Sequence, residues 1–156
     1  MPEDKTDMKE LTHIVNWRRI DPRLTTSGQP TEMQLADIRA MHGTDGALAD
    51  EAGTVAGLGM KYIHIPVLFD KPTDADFEAF CHAIEATPHI QMHVHCIYNA
   101  RVSAFFYRYA KSGRGPSEAA AFANMESIWR PGDDWAAFID VQDAVGQPNR
   151  YAGEDY

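Results

Sequence analysis

Residues 89–111 constrain the fold most. The run His89-Ile90-Gln91-Met92-His93-Val94-His95 has strand character and ends at Cys96. A turn of a few residues follows, and then a helical stretch over 102–111 with Gly113 behind it. Phe105, Phe106 and Tyr109 are spaced to bury that helix against a sheet. A strand that turns straight into a helix belongs to an α/β domain with a mainly parallel sheet flanked by helices. Such sheets hold ligands at the carboxyl ends of their strands. The loop after residue 95 is therefore the first place to look for chemistry.

The rest of the chain agrees. Residues 18–24 suit a short strand or an extended lead-in. Thr31 caps a helix over 31–41, with Gln34 placed to complete a capping box. Gly43 and Gly46 break it, and a second helix is expected over 47–55. Residues 61–67 read as a strand with Pro66 near its end. Thr73 caps the next helix, with Asp74 and Asp76 in its first turn and a stripe of Phe77, Phe80, Cys81 and Ile84. Two more helices are expected over 117–128 and 134–145, the second closed by Gly146. Trp17, Trp129 and Trp135 suit the core.

The chain has 156 residues, 44% hydrophobic and 24% charged, which fits one globular domain with a core of its own. Its expected extent is 16–146, between an N-terminal extension (1–15) and a polar tail or packed strap (147–156). The formal net charge is −9, which argues against a nucleic acid or an anionic membrane as partner. No apolar stretch follows the polar start Met1-Pro2-Glu3-Asp4-Lys5, so a cytoplasmic setting is expected, with no signal peptide and no bilayer span. The two cysteines, Cys81 and Cys96, form no CxxC pair. Cys81 lies on an apolar stripe and reads as packing.

Cys96 reads as chemistry. It ends a strand, and His95-Cys96-Ile97-Tyr98-Asn99-Ala100-Arg101-Val102-Ser103 carries the chain into a helix. A helix start offers unpaired N–H groups and a partial positive charge, so an anion can be cradled there. The thiolate is the nucleophilic form of cysteine, and that end of a helix favours negative charge beside it. Arg101 can offer two parallel hydrogen bonds to an oxyanion, and Ser103 is placed to assist a sulfur leaving group. His89, His93 and His95 share a strand face with Gln91, but no second cluster of metal-ligand spacing accompanies them, so no metal is expected. Arg18, Arg19 and Arg23 either flank an anion pocket or form a solvated surface.

Three ordered segments resemble a known family. Thr26-Ser27-Gly28-Gln29-Pro30-Thr31 is similar to a Ser-Gly-Gln-Pro lead-in to the first helix. Gly59-Met60-Lys61-Tyr62-Ile63-His64-Ile65-Pro66-Val67 is similar to a Gly-x-x-Tyr-x-x-Ile-Pro-Val strand. The third is the Cys-x4-Arg loop, Cys96 to Arg101. Together they resemble the beta-lactamase-hydrolase-type, phosphatase-like family of the protein tyrosine phosphatase superfamily. The resemblance implies a dual-specificity-phosphatase-like α/β domain that hydrolyses phosphomonoesters through a phosphocysteine intermediate, with no cofactor. It implies Cys96 as nucleophile, Arg101 as phosphate clamp, and the backbone of Ile97, Tyr98, Asn99, Ala100 and Arg101 as the phosphate cradle, with Ser103 beside it. His95 would support the loop. Asp70, in the loop after the 61–67 strand, is favoured as the acid over Asp74, whose place in a first helical turn gives it an ordinary dipole role. A phosphorylated small molecule or a phosphoprotein would be the partner.

The chain departs from the family pattern in three places. Asn99 stands where glycine is usual, although asparagine tolerates a left-handed backbone. Val102 follows the arginine where a hydroxyl is usual, displacing that hydroxyl to Ser103. Only His42-Gly43-Thr44-Asp45-Gly46 stands where the family has a further strand. Two other readings share the same loop. The Cys-x4-Arg ring matches the loop length of rhodanese-like sulfurtransferases, which points to sulfur transfer or persulfide handling. A catalytically inactive module that binds a phosphorylated ligand is the other.

Overall fold

The structure is a computed structural model that describes residues 10–31, 33–34, 65, 67, 71–86, 91–96, 98–151 and 154–155. The expected helices and strand over 35–64, the short link at 42–46, His89, Asp70 and Ile97 lie outside the described residues.

Strands β1 (Arg18–Asp21) and β2 (Leu24–Ser27) form an antiparallel hairpin. Its turn is held by Asp21, whose Oδ1 accepts from the N–H groups of Arg23 and Leu24 at 2.8 and 2.9 Å. Strand β3 (Met92–His95) pairs with β2 in parallel, Leu24 opposite Met92 through Ser27 opposite His95. The described sheet has the order β1-β2-β3 with one pairing of each kind: β2 on β3 is parallel, as expected, and the β1–β2 hairpin adds an antiparallel edge that was not. The difference arises because the 18–24 region does not form one strand. It turns back at Pro22 and delivers a second strand, β2, to the sheet.

Helix α1 (Asp74–Ala86) buries Phe77, Phe80, Cys81 and Ile84, the expected stripe. Its start is a reciprocal box: Thr73 N–H donates to Asp76, and Asp76 N–H donates to Thr73 Oγ1, both at 3.1 Å. Thr31 and Gln34 make the same exchange at 2.9 and 3.1 Å. Helix α2 (Ala100–Lys111) follows β3 and packs Phe105 and Phe106 against Phe80, with ring centroids 5.2 and 4.9 Å away and the rings edge to face. It ends at Gly113 (φ 88°), where Gly113 and Arg114 N–H close back on Ala110 and Tyr109.

Helix α3 (Glu118–Glu126) is capped by Ser117, whose hydroxyl accepts from Ala120 N–H at 3.1 Å. Helix α4 (Asp133–Phe138) is shorter than the expected 134–145 helix. Asp140 takes φ 62°, its N–H bonds Ala137 O, and Val141 N–H bonds Ala136 O. This is a Schellman stop with aspartate in the place usually held by glycine, and a separate 3-10 turn follows (Gln142–Ala144). Trp129 and Trp135 are buried edge to face, and Trp17 is buried beside the sheet.

Both ends of the described chain pack on this body. Leu11 and Ile14 are buried, although the sequence places them in the extension. The tail lies as a strap: Arg130 and Arg150 exchange backbone hydrogen bonds, and strands β4 (Arg150–Tyr151) and β5 (Glu154–Asp155) pair antiparallel. Gly132 lies under this strap. A Cβ there would stand 2.0 Å from the Gln147 carbonyl oxygen. Gly132→Ala is expected to cost about 2 kcal/mol through overpacking, read as a melting temperature lower by roughly 4–8 °C. An unchanged melting temperature would show that the strap does not bear on Gly132.

Candidate active site

Parallel pairing puts the carboxyl ends of β2 and β3 side by side. The pairing runs one step past β3, where Cys96 N–H donates to Ser27 O at 3.4 Å. Gly28, next along, donates its N–H to Val15 O at 2.7 Å. The Ser27-Gly28-Gln29 lead-in and the cysteine loop are thus neighbours at one edge. Cys96 is half-buried and free.

The turn into α2 depends on Asn99. It is fully buried, takes φ 68° and ψ 6°, and stands at the N-cap of α2. The expected left-handed asparagine is therefore present. Its side-chain amide donates to Asn16 O at 2.8 Å and to Thr26 Oγ1 at 2.9 Å. Asn16, itself at φ 50°, donates its amide to Tyr98 O at 2.8 Å. Ala100 is buried in the first turn of α2, and the Tyr98 side chain is exposed at the loop. Arg101 follows, half-buried, with Nη1 donating to Val67 O at 3.1 Å. That contact ties the guanidinium to the segment that leads toward Asp70.

The sheet beneath is held by hydroxyls. His93 is fully buried and stacks on Trp17 at 5.2 Å. Ser27 Oγ donates to Gly28 O at 2.7 Å, so it accepts from His93 Nε2–H at 2.9 Å. His93 Nδ1 then accepts from the Thr25 hydroxyl at 2.9 Å. Both ring nitrogens are committed to hydroxyls, which does not suit a metal ligand. No metal-ligating group of three or more residues occurs among the described residues. His95 is buried directly before the cysteine and stacks on His93 at 6.3 Å.

One expectation changes, that for Ser103, while Asp74 and the three arginines are found in structural roles. Ser103 does not face the loop: its hydroxyl donates to Ala100 O at 2.7 Å and accepts from Trp129 Nε1 at 3.1 Å in the core. The 3.6-residue helical period places position 103 on the packed face of α2. Asp74 is exposed and paired with Arg108 at 2.9 Å, which holds it at the contact between α1 and α2. Arg18, Arg19 and Arg23 serve the fold: Arg18 bonds Ser127, Arg19 bonds Glu10, and Arg23 bonds Ile84 O. Sequence reasoning did not single out Asn16 or the hydroxyl of Thr26. The signal available was the polar run Thr25-Thr26-Ser27, all buried in a strand that needs partners for its hydroxyls.

No family model matches the sequence, and no curated protein matches it. Solved structures do. A DUF442 protein from Shewanella putrefaciens CN-32, itself a candidate phosphatase, is 27% identical with a TM-score of 0.71, over 86% of this chain and 97% of its own. TpbA of P. aeruginosa is 20% identical with a TM-score of 0.60, over 72% of this chain and 73% of its own. The core catalytic domain of the PP-IP phosphatase SIW14 from S. cerevisiae, in complex with citrate, is 11% identical with a TM-score of 0.59, over 72% of this chain and 75% of its own. The last two share the fold.

The two thiols differ in reach. Cys81 is 2% exposed, and burial pushes its thiol up while the Arg114 guanidinium pulls the other way. Iodoacetamide at neutral pH is expected to label Cys96 alone in the native protein and both cysteines in denaturant, read by peptide mapping. Native labelling of Cys81 at the same rate would contradict this division. With its cysteine loop between a parallel strand and a helix, the chain shares the fold of these phosphatase structures and is similar to the DUF442 protein at 27% identity.

Proposed function

We propose that the protein is a cysteine-dependent phosphatase that hydrolyses phosphomonoesters through a phosphocysteine intermediate. One observation carries the reading: Cys96 and Arg101 flank a helix start whose N-cap side chain makes no cap bond to the helix. The N–H groups of that first turn and the guanidinium form a donor set for an anion next to a thiol. The likeness to phosphatase structures supports it, among them a cysteine-to-serine TpbA in complex with phosphotyrosine.

Cys96 as thiolate attacks phosphorus, and the bond from phosphorus to the ester oxygen breaks. Arg101 and the amides of Ile97, Tyr98, Asn99 and Ala100 hold the equatorial oxygens as charge builds on them. Asp70 gives its proton to the leaving oxygen. Water then attacks the phosphocysteine, Asp70 takes the water's proton, and inorganic phosphate leaves with the thiolate restored. His95 supports the loop from below. Every step uses protein groups and water, with a phosphorylated small molecule or a phosphoprotein as substrate in the cytoplasm.

The test compares wild type with Cys96→Ser on an aryl phosphate and on thiosulfate with cyanide. Phosphate release by wild type that falls at least 1,000-fold in Cys96→Ser is expected, a loss of about 4 kcal/mol in barrier lowering. Thiocyanate formed without phosphate release would replace the reading with sulfur transfer. Tight vanadate binding without turnover would replace it with a phospho-ligand-binding module.

A further inference from the structure

The start of α2 is unusual for an asparagine N-cap. That residue ordinarily turns its side-chain oxygen back to accept from N–H groups of the first turn. Asn99 makes no such bond. Its Nδ2 is directed instead to Asn16 O and Thr26 Oγ1, and its Oδ1 is buried with no hydrogen-bond partner among the described residues. The side chain that would have satisfied the first-turn amides is held elsewhere.

Asn16 completes the arrangement. The two asparagines cross, each amide bonding the backbone of the other's segment, over sequence separations of 82 and 83. A trans peptide is planar, so the Tyr98 carbonyl and the Asn99 N–H point in opposite directions. The bond from Asn16 Nδ2 to Tyr98 O therefore does two things. It keeps the negative end of that peptide turned toward Asn16, and it aims the Asn99 N–H away from Asn16. A peptide free to rotate would present its carbonyl to an anion and repel it.

We propose that Asn16 is a positioning residue for the anion site: its side-chain amide fixes the Tyr98–Asn99 peptide so that the loop offers a donor to a phosphoryl group. The inference rests on the phosphatase reading above. Asn16 acts through the peptide it holds, and its own residue type is set by two demands. The backbone needs a residue that accepts a left-handed conformation, and the side chain needs an N–H donor. Asparagine meets both.

Two variants separate those demands. Asn16→Gly accepts φ 50° without strain but has no donor. Asn16→Asp keeps the shape and sets an acceptor against the Tyr98 carbonyl. Inorganic phosphate is titrated into the ¹⁵N-labelled full chain, with the backbone amides around residues 98–103 as reporters. Melting temperatures and kcat and KM on p-nitrophenyl phosphate are recorded alongside. Phosphate binding about tenfold weaker or more in both variants is expected, the scale of one hydrogen bond to a positioned peptide. The expected melting temperature of Asn16→Gly stays close to wild type. Wild-type phosphate affinity in both variants overturns the positioning role and leaves the phosphatase reading standing. A lower melting temperature with unchanged affinity makes Asn16 a structural residue and overturns it equally. Absence of phosphate binding and turnover in wild type overturns the phosphatase reading, and this inference with it.

Discussion

Asn99 carries two constraints that pull against each other. The chain must leave β3 and enter α2 within a few residues, which demands a left-handed turn that most side chains resist. The helix it enters must keep its first N–H groups open if an anion is to sit there. A glycine would satisfy both by having no side chain. Asparagine satisfies the first through its tolerance of φ 68°, and the second because Thr26 and Asn16 hold its amide away from the helix. The position of Cys96 at one end of that turn and Arg101 at the other follows from this one residue's conformation.

Those partners explain why β2 is made of hydroxyls. Thr25, Thr26 and Ser27 are fully buried, in a place where valine or isoleucine would bring more apolar surface. Each hydroxyl has work there: Thr25 and Ser27 bind the two nitrogens of His93, and Thr26 binds Asn99. Trp17 covers His93 from the side and is itself held by Glu10 through its indole N–H at 2.9 Å. These buried hydrogen bonds favour one register of the sheet, because a slip of one residue would break them. The register of β2 on β3 sets Ser27 opposite His95, and so sets where the cysteine loop begins.

Legibility in the sequence followed the range of the interaction. The stripe of α1, the aromatic face of α2, the capping pair Thr31/Gln34 and the cap at Thr73 are local patterns, and the structure has them all. The cysteine-to-arginine turn was legible for the same reason, since strand end, loop and helix start are contiguous. The antiparallel return of β2 was hidden because its residues are polar and show no apolar alternation. The stop at Asp140 was hidden because aspartate takes the place where glycine usually signals it. Ser103 was misplaced because its partner, Trp129, lies 26 residues away, and Asn16 escaped notice because its partner lies 82 residues away. Asp70 and most of the strand expected before it fall outside the described residues, so the acid rests on sequence alone.

The central claim is that the Cys96 sulfur takes the phosphoryl group. Rapid quenching of the wild-type protein with a ³²P-labelled aryl phosphate, followed by peptide mapping, tests this directly. Label is expected on the peptide that contains Cys96, absent in Cys96→Ser and chased by unlabelled substrate. Steady release of phosphate by wild type with no label on that peptide, or equal release by Cys96→Ser, would contradict it.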